Sequence, residues 1–313
     1  MTVINVDYLN FTVPSGGRLP GAALAYAVGI AWRIAPRLIA GEVEPKGIHG
    51  YAWSSSLSAP DSQDRAIVAA GGANPETVLF SFTGGACSYL DLAELEKVLN
   101  EVGGRITRVD LALDDFEGLH TVHEVREAYL AGDFRNRGQM PASEMGGPWD
   151  CPERWSAGLT YYIGKIRNGK TLCVYEKGKQ TGDPSSPWVR FEVRLSRQDR
   201  DIPNDVLSKR AEYFFGSYPW LAHVADVPGE FLGLVTREKT RISILHLVTH
   251  CKKSYGKVLN ALRHLGVSSG AIVANLASAG LPSRVNMNFL TPEVGSGVLS
   301  HLDRAGGRAW AEC

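Results

Sequence analysis

A chain of 313 residues, 44% hydrophobic and 21% charged, can bury one large core or two smaller ones and has the composition of an ordinary globular protein. Its 33 basic residues balance its 33 acidic ones, so net charge selects no partner. Five cysteines without a CxxC spacing exclude a zinc ribbon and a disulfide framework and fit a reducing cytosol. The start, MTVINVDYLNFTV, lacks the pattern of a signal peptide, and the most apolar stretch, Ala22 to Ala40, is interrupted by Arg33, Pro36 and Arg37. No membrane partner is expected.

The β-forming run Val3 to Val13 predicts a strand, and Ala22 to Leu38 a buried helix ending near Pro36. Short strands are expected at Tyr51 to Leu57 and Thr77 to Thr83. Leu92, Leu95, Val98 and Leu99 recur at helical spacing within Leu90 to Val102, and Gly103-Gly104 stops that helix. Arg105 to Asp114 reads as a strand. Thr121-Val-His-Glu124 has the form of a capping box, opening a helix to Leu130. Gly132 to Trp155 reads as a long loop. Leu159 to Gly164 and Thr171 to Lys177 flank an Asn-Gly turn, and Trp188 to Ser196 is a further strand. Helical segments follow over Pro203 to Phe215, Ile242 to Leu265 and Ser269 to Ala279. No internal repeat is visible. The pattern is α+β, with a mostly antiparallel central sheet, helices packed on one face and a helical C-terminal region. Residues 1–226 form the expected catalytic domain and 227–313 the helical part.

Residues two apart on a strand share a face. Asp110, Ala112 and Asp114 therefore stand together, as do Arg190, Glu192 and Arg194, and Cys173, Tyr175 and Lys177. Each set lies opposite an apolar one. Such carboxylates and arginines often do no more than pair across strands. Three strands with the same division can also build one polar groove. Carboxylates at Asp110, Asp114 and Glu192 suit a hard cation, Mg²⁺ or Mn²⁺. Arg190 and Arg194 suit phosphate. Tyr175 is the candidate nucleophile, with Lys177 favouring its phenolate. Between Arg237 and Arg284 the only acid is Glu238, so Lys252, Lys253, Lys257 and Arg263 form a basic block for a nucleic-acid backbone. The histidines form no metalloprotease motif, and no GxSxG elbow occurs.

The segments VDYLNFTV, RVDLALDDFEG, GLTYYIGKIRNGKTLCVYEKGKQ and VRFEVRL resemble the replication initiation factor family, the rolling-circle initiators of plasmids and filamentous phages. The tract KKSYGKVLNALRHLG followed by GLPSR looks like the filamentous-phage branch. The resemblance implies a metal-dependent nicking and joining enzyme in a bacterial cytoplasm. It implies binding to origin DNA, single-stranded or supercoiled, cooperation with host replication machinery, and leaves a homodimer open. Tyr175 matches the family's nucleophile and Lys177 the lysine after it. Asp110 and Glu192 match acidic positions assigned to metal, with Asp114 third. The family often carries arginine where this chain has Cys173. Other readings are a conjugative relaxase, a non-catalytic DNA-binding regulator on the same fold, and a two-carboxylate sugar hydrolase.

Overall fold

Ten strands pair antiparallel in one sheet: β1 (Asn5–Pro14), β2 (Ile39–Glu44), β3 (Trp53–Ser58), β4 (Arg65–Ala70), β5 (Thr77–Thr83), β6 (Arg105–Asp115), β7 (Ser143–Gly146), β8 (Thr160–Lys165), β9 (Lys170–Tyr175) and β10 (Val189–Ser196). Their spatial order is β2-β3-β4-β5-β1-β6-β10-β9-β8-β7. The structure, a computed structural model, describes residues 3–60, 62–135, 138–198, 201–224 and 244–277. The chain divides into two compact units, Met1–Glu238 and Lys239–Cys313. The expected boundary at 226/227 falls outside the described residues.

One sheet face is apolar because alternate residues are. Leu9, Phe11, Phe80, Phe82, Val109, Leu111, Phe191 and Val193 are fully buried. Phe11 stacks on Phe80 with ring centroids 4.5 Å apart. The helices α1 (Pro20–Ile34), α2 (Leu92–Val102) and α3 (Val122–Ala131) cover this face with residues of the same core. Asp91 caps α2 by accepting from the Glu94 N–H at 2.9 Å, and Gly103 ends it at φ +69°. The expected capping box forms at Thr121 and Glu124. Thr121→Ala should therefore cost about 1 kcal/mol. Urea unfolding checks this, and an unchanged midpoint would mean that the helix is set by packing alone. Two further short helices lie among the described residues of this unit, α4 (Lys177–Gln180) and α5 (Arg210–Phe215). The second unit contains α6 (Ile244–His264) and α7 (Ser269–Leu276), the latter capped by Ser268.

Three sequence readings need correction. β2 and β4 were not expected. The loop at Gly132 to Trp155 contains β7 and a 3₁₀ turn, Pro152–Ala157. A repeat exists in topology although none shows in sequence. β1-α1-β2-β3-β4-β5 and β6-α3-β7-β8-β9-β10 follow one path: a strand, a helix, then a four-strand meander whose last strand returns beside the first. β1 and β6 pair at the centre, so a local pseudo-twofold axis runs between them. Aligning the starts of α1 and α3 and carrying the registers outward matches Tyr8 with Asp110, Ser81 with Glu192, Leu79 with Arg190 and Ala69 with Tyr175. In the first half Tyr51 packs on Ala69 and Leu79, filling the place that corresponds to the polar centre of the second.

Candidate active site

The polar face of the second half is a grid fixed by strand register. One row runs Tyr8, Asp110, Arg194 and Thr171. The next runs Ala112, Glu192, Cys173 and Tyr162. The third runs Asp114, Arg190, Tyr175 and Thr160. Glu192 is thus one diagonal step from Asp110 on one side and from Tyr175 on the other. Diagonal neighbours lie roughly 7–8 Å apart at the backbone, within reach of long side chains.

The face is deeper than an open groove. Asp110 is 1% exposed and Glu192 3%. Arg108 grips both Asp110 oxygens through Nε and Nη2. Arg194 Nε donates to Glu192 Oε1 at 2.8 Å and lies 3.8 Å from Asp110 Oδ2. Burial pushes the Asp110 carboxyl up to about 6; Arg108 pulls it down, and nearby Glu192 pushes it up again. The native protein therefore holds this proton more tightly than the unfolded chain. The resulting stabilisation is complete below about pH 4, the ordinary carboxyl range. It is lost as pH rises through about 6, an effect on the order of 3 kcal/mol. Asp110→Asn should flatten this part of the stability profile in metal-free protein. Thermal melts between pH 4 and 7 test it, and an unaltered slope would assign the titration to another group.

Tyr175 ends β9 and is 8% exposed. Burial raises its phenol above the ordinary range, Glu192 and Asp7 add to the rise, and Arg190 opposes it. The phenol thus keeps its proton in the free protein. Lys177 Nζ stands 5.6 Å from the ring centroid. It does so from the first turn of α4 rather than from the strand, because β9 stops at Tyr175.

Asp114 does not join Asp110 and Glu192. Its Oδ1 accepts from Arg190 Nε and Trp188 Nε1, both at 2.7 Å, and its Oδ2 accepts from Arg190 Nη2 at 2.8 Å. Among the described residues no group of three or more His, Cys, Asp or Glu side chains is arranged to hold a metal ion. The remaining pair, Asp110 and Glu192, still fits Mg²⁺ or Mn²⁺ chemistry, since such ions bind through one or two carboxylates with water and phosphate completing the shell. Arg190 is not a free phosphate clamp either: Nη1 donates to Asp7 at 2.6 Å while the other edge holds Asp114. Arg194 is tied to Glu192. Cys173 is buried beside Tyr162, and burial pushes its thiol up to about 12. Tyr161 packs in the apolar core against Tyr129 and Trp149. Tyr162 stays on the polar face. Lys252, Lys253, Lys257 and Arg263 all lie on α6; Lys257 and Arg263 are exposed.

The sequence reading missed Asp7 and gave Arg108 no role. Strict alternation puts Asp7 with Leu9 and Phe11 on the apolar face. A bulge between Val6 and Tyr8 turns it to the polar face instead, where it meets Arg190. Only the paired charge on an otherwise apolar strand face hinted at this.

With the geometry in hand, comparison with known proteins is direct. Residues 104–232 match the family model described as Replication initiation factor. Over that segment the chain is similar to the replication initiation factor family. A curated relative, the Bacillus subtilis (strain 168) protein named "Putative DNA relaxase NicK", is 28% identical over 114 residues, 34% of this chain and 32% of the relative. The chain therefore spans about a third of that relative's length. In fold it is similar to the rolling circle replication initiator protein from Geobacillus stearothermophilus, with a TM-score of 0.52 at 18% identity over 69% of this chain and 86% of the other. The α+β reading and the family resemblance both stand. Among the described residues no helix is long and apolar enough to cross a membrane.

Proposed function

We propose that this chain initiates rolling-circle DNA replication by nicking one origin strand and later rejoining it. The observation that carries the reading is Tyr175 on one polar face with Glu192 and Asp110, directly opposite Arg190 in the strand register. Tyr175 Oη attacks the scissile phosphorus, the P–O3′ bond breaks, and the leaving 3′-oxygen takes up a proton. The products are a 5′-phosphotyrosine and a free 3′-hydroxyl that primes synthesis by the host machinery. Attack of a 3′-hydroxyl on the phosphotyrosine reverses the step and closes the strand.

The phenol must lose its proton as it attacks. Arg190, opposite Tyr175, and Lys177, over its ring, supply the positive field that favours the phenolate. Asp110 and Glu192 would hold Mg²⁺ or Mn²⁺. A divalent ion held there would supply Lewis-acid stabilisation of charge on the phosphate. Arg194 stands between both carboxylates and adds positive charge to this face. Lys252, Lys253, Lys257 and Arg263 on α6 supply backbone contacts to DNA from a binding region over 227–313, separate from a catalytic region over 1–226. The C-terminal tract favours the filamentous-phage branch. The similarity to a relaxase favours a second biological setting, nicking of a transfer origin, through the same chemistry.

The test is incubation with supercoiled origin plasmid and Mn²⁺ or Mg²⁺, followed by peptide mapping of the DNA-linked residue. An open circle with its 5′ end on Tyr175 supports the reading. Binding without cleavage would return the chain to the class of inert DNA-binding proteins.

A further inference from the structure

The polar grid does not stop at Tyr175. Carried one residue past the last β6–β10 pair, the register sets Phe116 opposite Trp188. Both are two residues beyond members of the third row, so they share its face. Trp188 confirms the placement: its indole N–H donates to Asp114, and its ring lies 5.6 Å from the Arg190 guanidinium. Phe116 tilts against Trp188 at 37°, with centroids 5.0 Å apart, yet is 61% exposed.

An exposed phenylalanine on a loose loop would mean little. This one stands on a fixed turn. Asp115 Oδ2 accepts from the His120 N–H at 2.8 Å. Gly118 has φ +66° and lies so close to Pro187 that an added Cβ would fall 2.8 Å from it. The aromatic pair is therefore presented, half sunk and half bare, one row along the sheet from the nucleophile, with Trp188 one strand over at about 8 Å and Phe116 two strands over at about 12 Å. Lys177, over the Tyr175 ring, is a cation suited to a phosphate beside a stacked base, and Arg190, held by Asp7 and Asp114, adds positive field only.

We propose that Phe116 and Trp188 form a nucleobase-stacking site for unpaired DNA, holding the first or second base from the scissile phosphate. The position relative to the phosphate rests on Tyr175 being the nucleophile; the stacking itself does not. A paired base has no free face to offer, so the site selects single-stranded or locally melted DNA. Every base has a π face, so the contact tolerates sequence.

Phe116 is the residue to vary, because Trp188 also anchors Asp114. Anisotropy with fluorescein-labelled dT12 in metal-free buffer should show Phe116→Ala and Phe116→Leu binding about 5- to 100-fold more weakly than wild type. Phe116→Trp should bind as wild type. Replacing single thymidines by abasic units should weaken the wild type at one or two positions and leave Phe116→Ala indifferent to them. Equal affinity of wild type and Phe116→Ala would overturn the site and give the exposed ring to a protein partner instead. Equal affinity of the leucine and tryptophan variants would overturn stacking in favour of plain apolar contact. Loss of dT12 binding in Phe116→Ala, with no Tyr175 adduct formed by wild type on origin DNA, would uphold the stacking site and remove the nicking reading.

Discussion

Tyr175→Phe is expected to lower nicking by roughly 10⁴-fold or more while leaving origin affinity within a few-fold of wild type. The variant removes one oxygen and keeps the ring that fills the end of β9 beside Arg190. Stability should change by about 1 kcal/mol or less, since only one hydroxyl is lost. No described neighbour replaces the phenol easily. Tyr161 faces the apolar core, and Tyr162 sits one row away with Cys173 between it and Glu192. The measurement is adduct yield on a 3′-labelled origin strand, with gel retardation of the same strand as the binding control. Wild-type adduct yield in the variant would remove Tyr175 from the reaction. An adduct appearing on Tyr162 would show that the row assignment, not the chemistry, was wrong.

The second large effect belongs to Arg190. Its guanidinium is the positive centre between Asp7 and Asp114, and its side chain is 12% exposed. Arg190→Ala leaves two carboxylates facing each other without a counter-charge, a loss of about 3–5 kcal/mol. For a unit of this size that lowers the melting temperature by roughly 10 °C. Arg190→Lys should recover only part of it, because an ammonium cannot reproduce the two-edged contact with Asp114 and Asp7. Melting curves of the three proteins decide it; equal losses in Arg190→Ala and Arg190→Lys would mean lost packing rather than lost charge.

Much of this site was legible because strand alternation is a strong signal. Val109, Leu111 and Leu113 announce one face of β6, and the acids between them announce the other. Lys177 lay just past the point where alternation stops applying. Asp114 was misjudged because sequence shows which residues share a face but not which of them are already partnered. β2 and β4 escaped notice for local reasons. The segment IAGEVE carries a glycine and leaves both Ile39 and Val43 exposed, and RAIVAA is half alanine, which reads weakly as strand. Nor could the sequence say that β1 would lie beside β6, a pairing that bridges almost a hundred residues and brings Asp7 into the site.

The two-fold build of the sheet has a consequence for how relatives of this protein are recognised. Recognition by family begins at residue 104, one position before β6 and so at the seam between the copies. Ahead of that seam, alanine, serine and leucine stand where the second copy has its phenol, acid and guanidinium, and Tyr51 packs there. Apart from Asp7 and Tyr8 on β1, that half answers only to packing, and many sequences pack equally well. Distant kin should therefore keep the first five strands in shape long after those strands have ceased to be recognisable in letters.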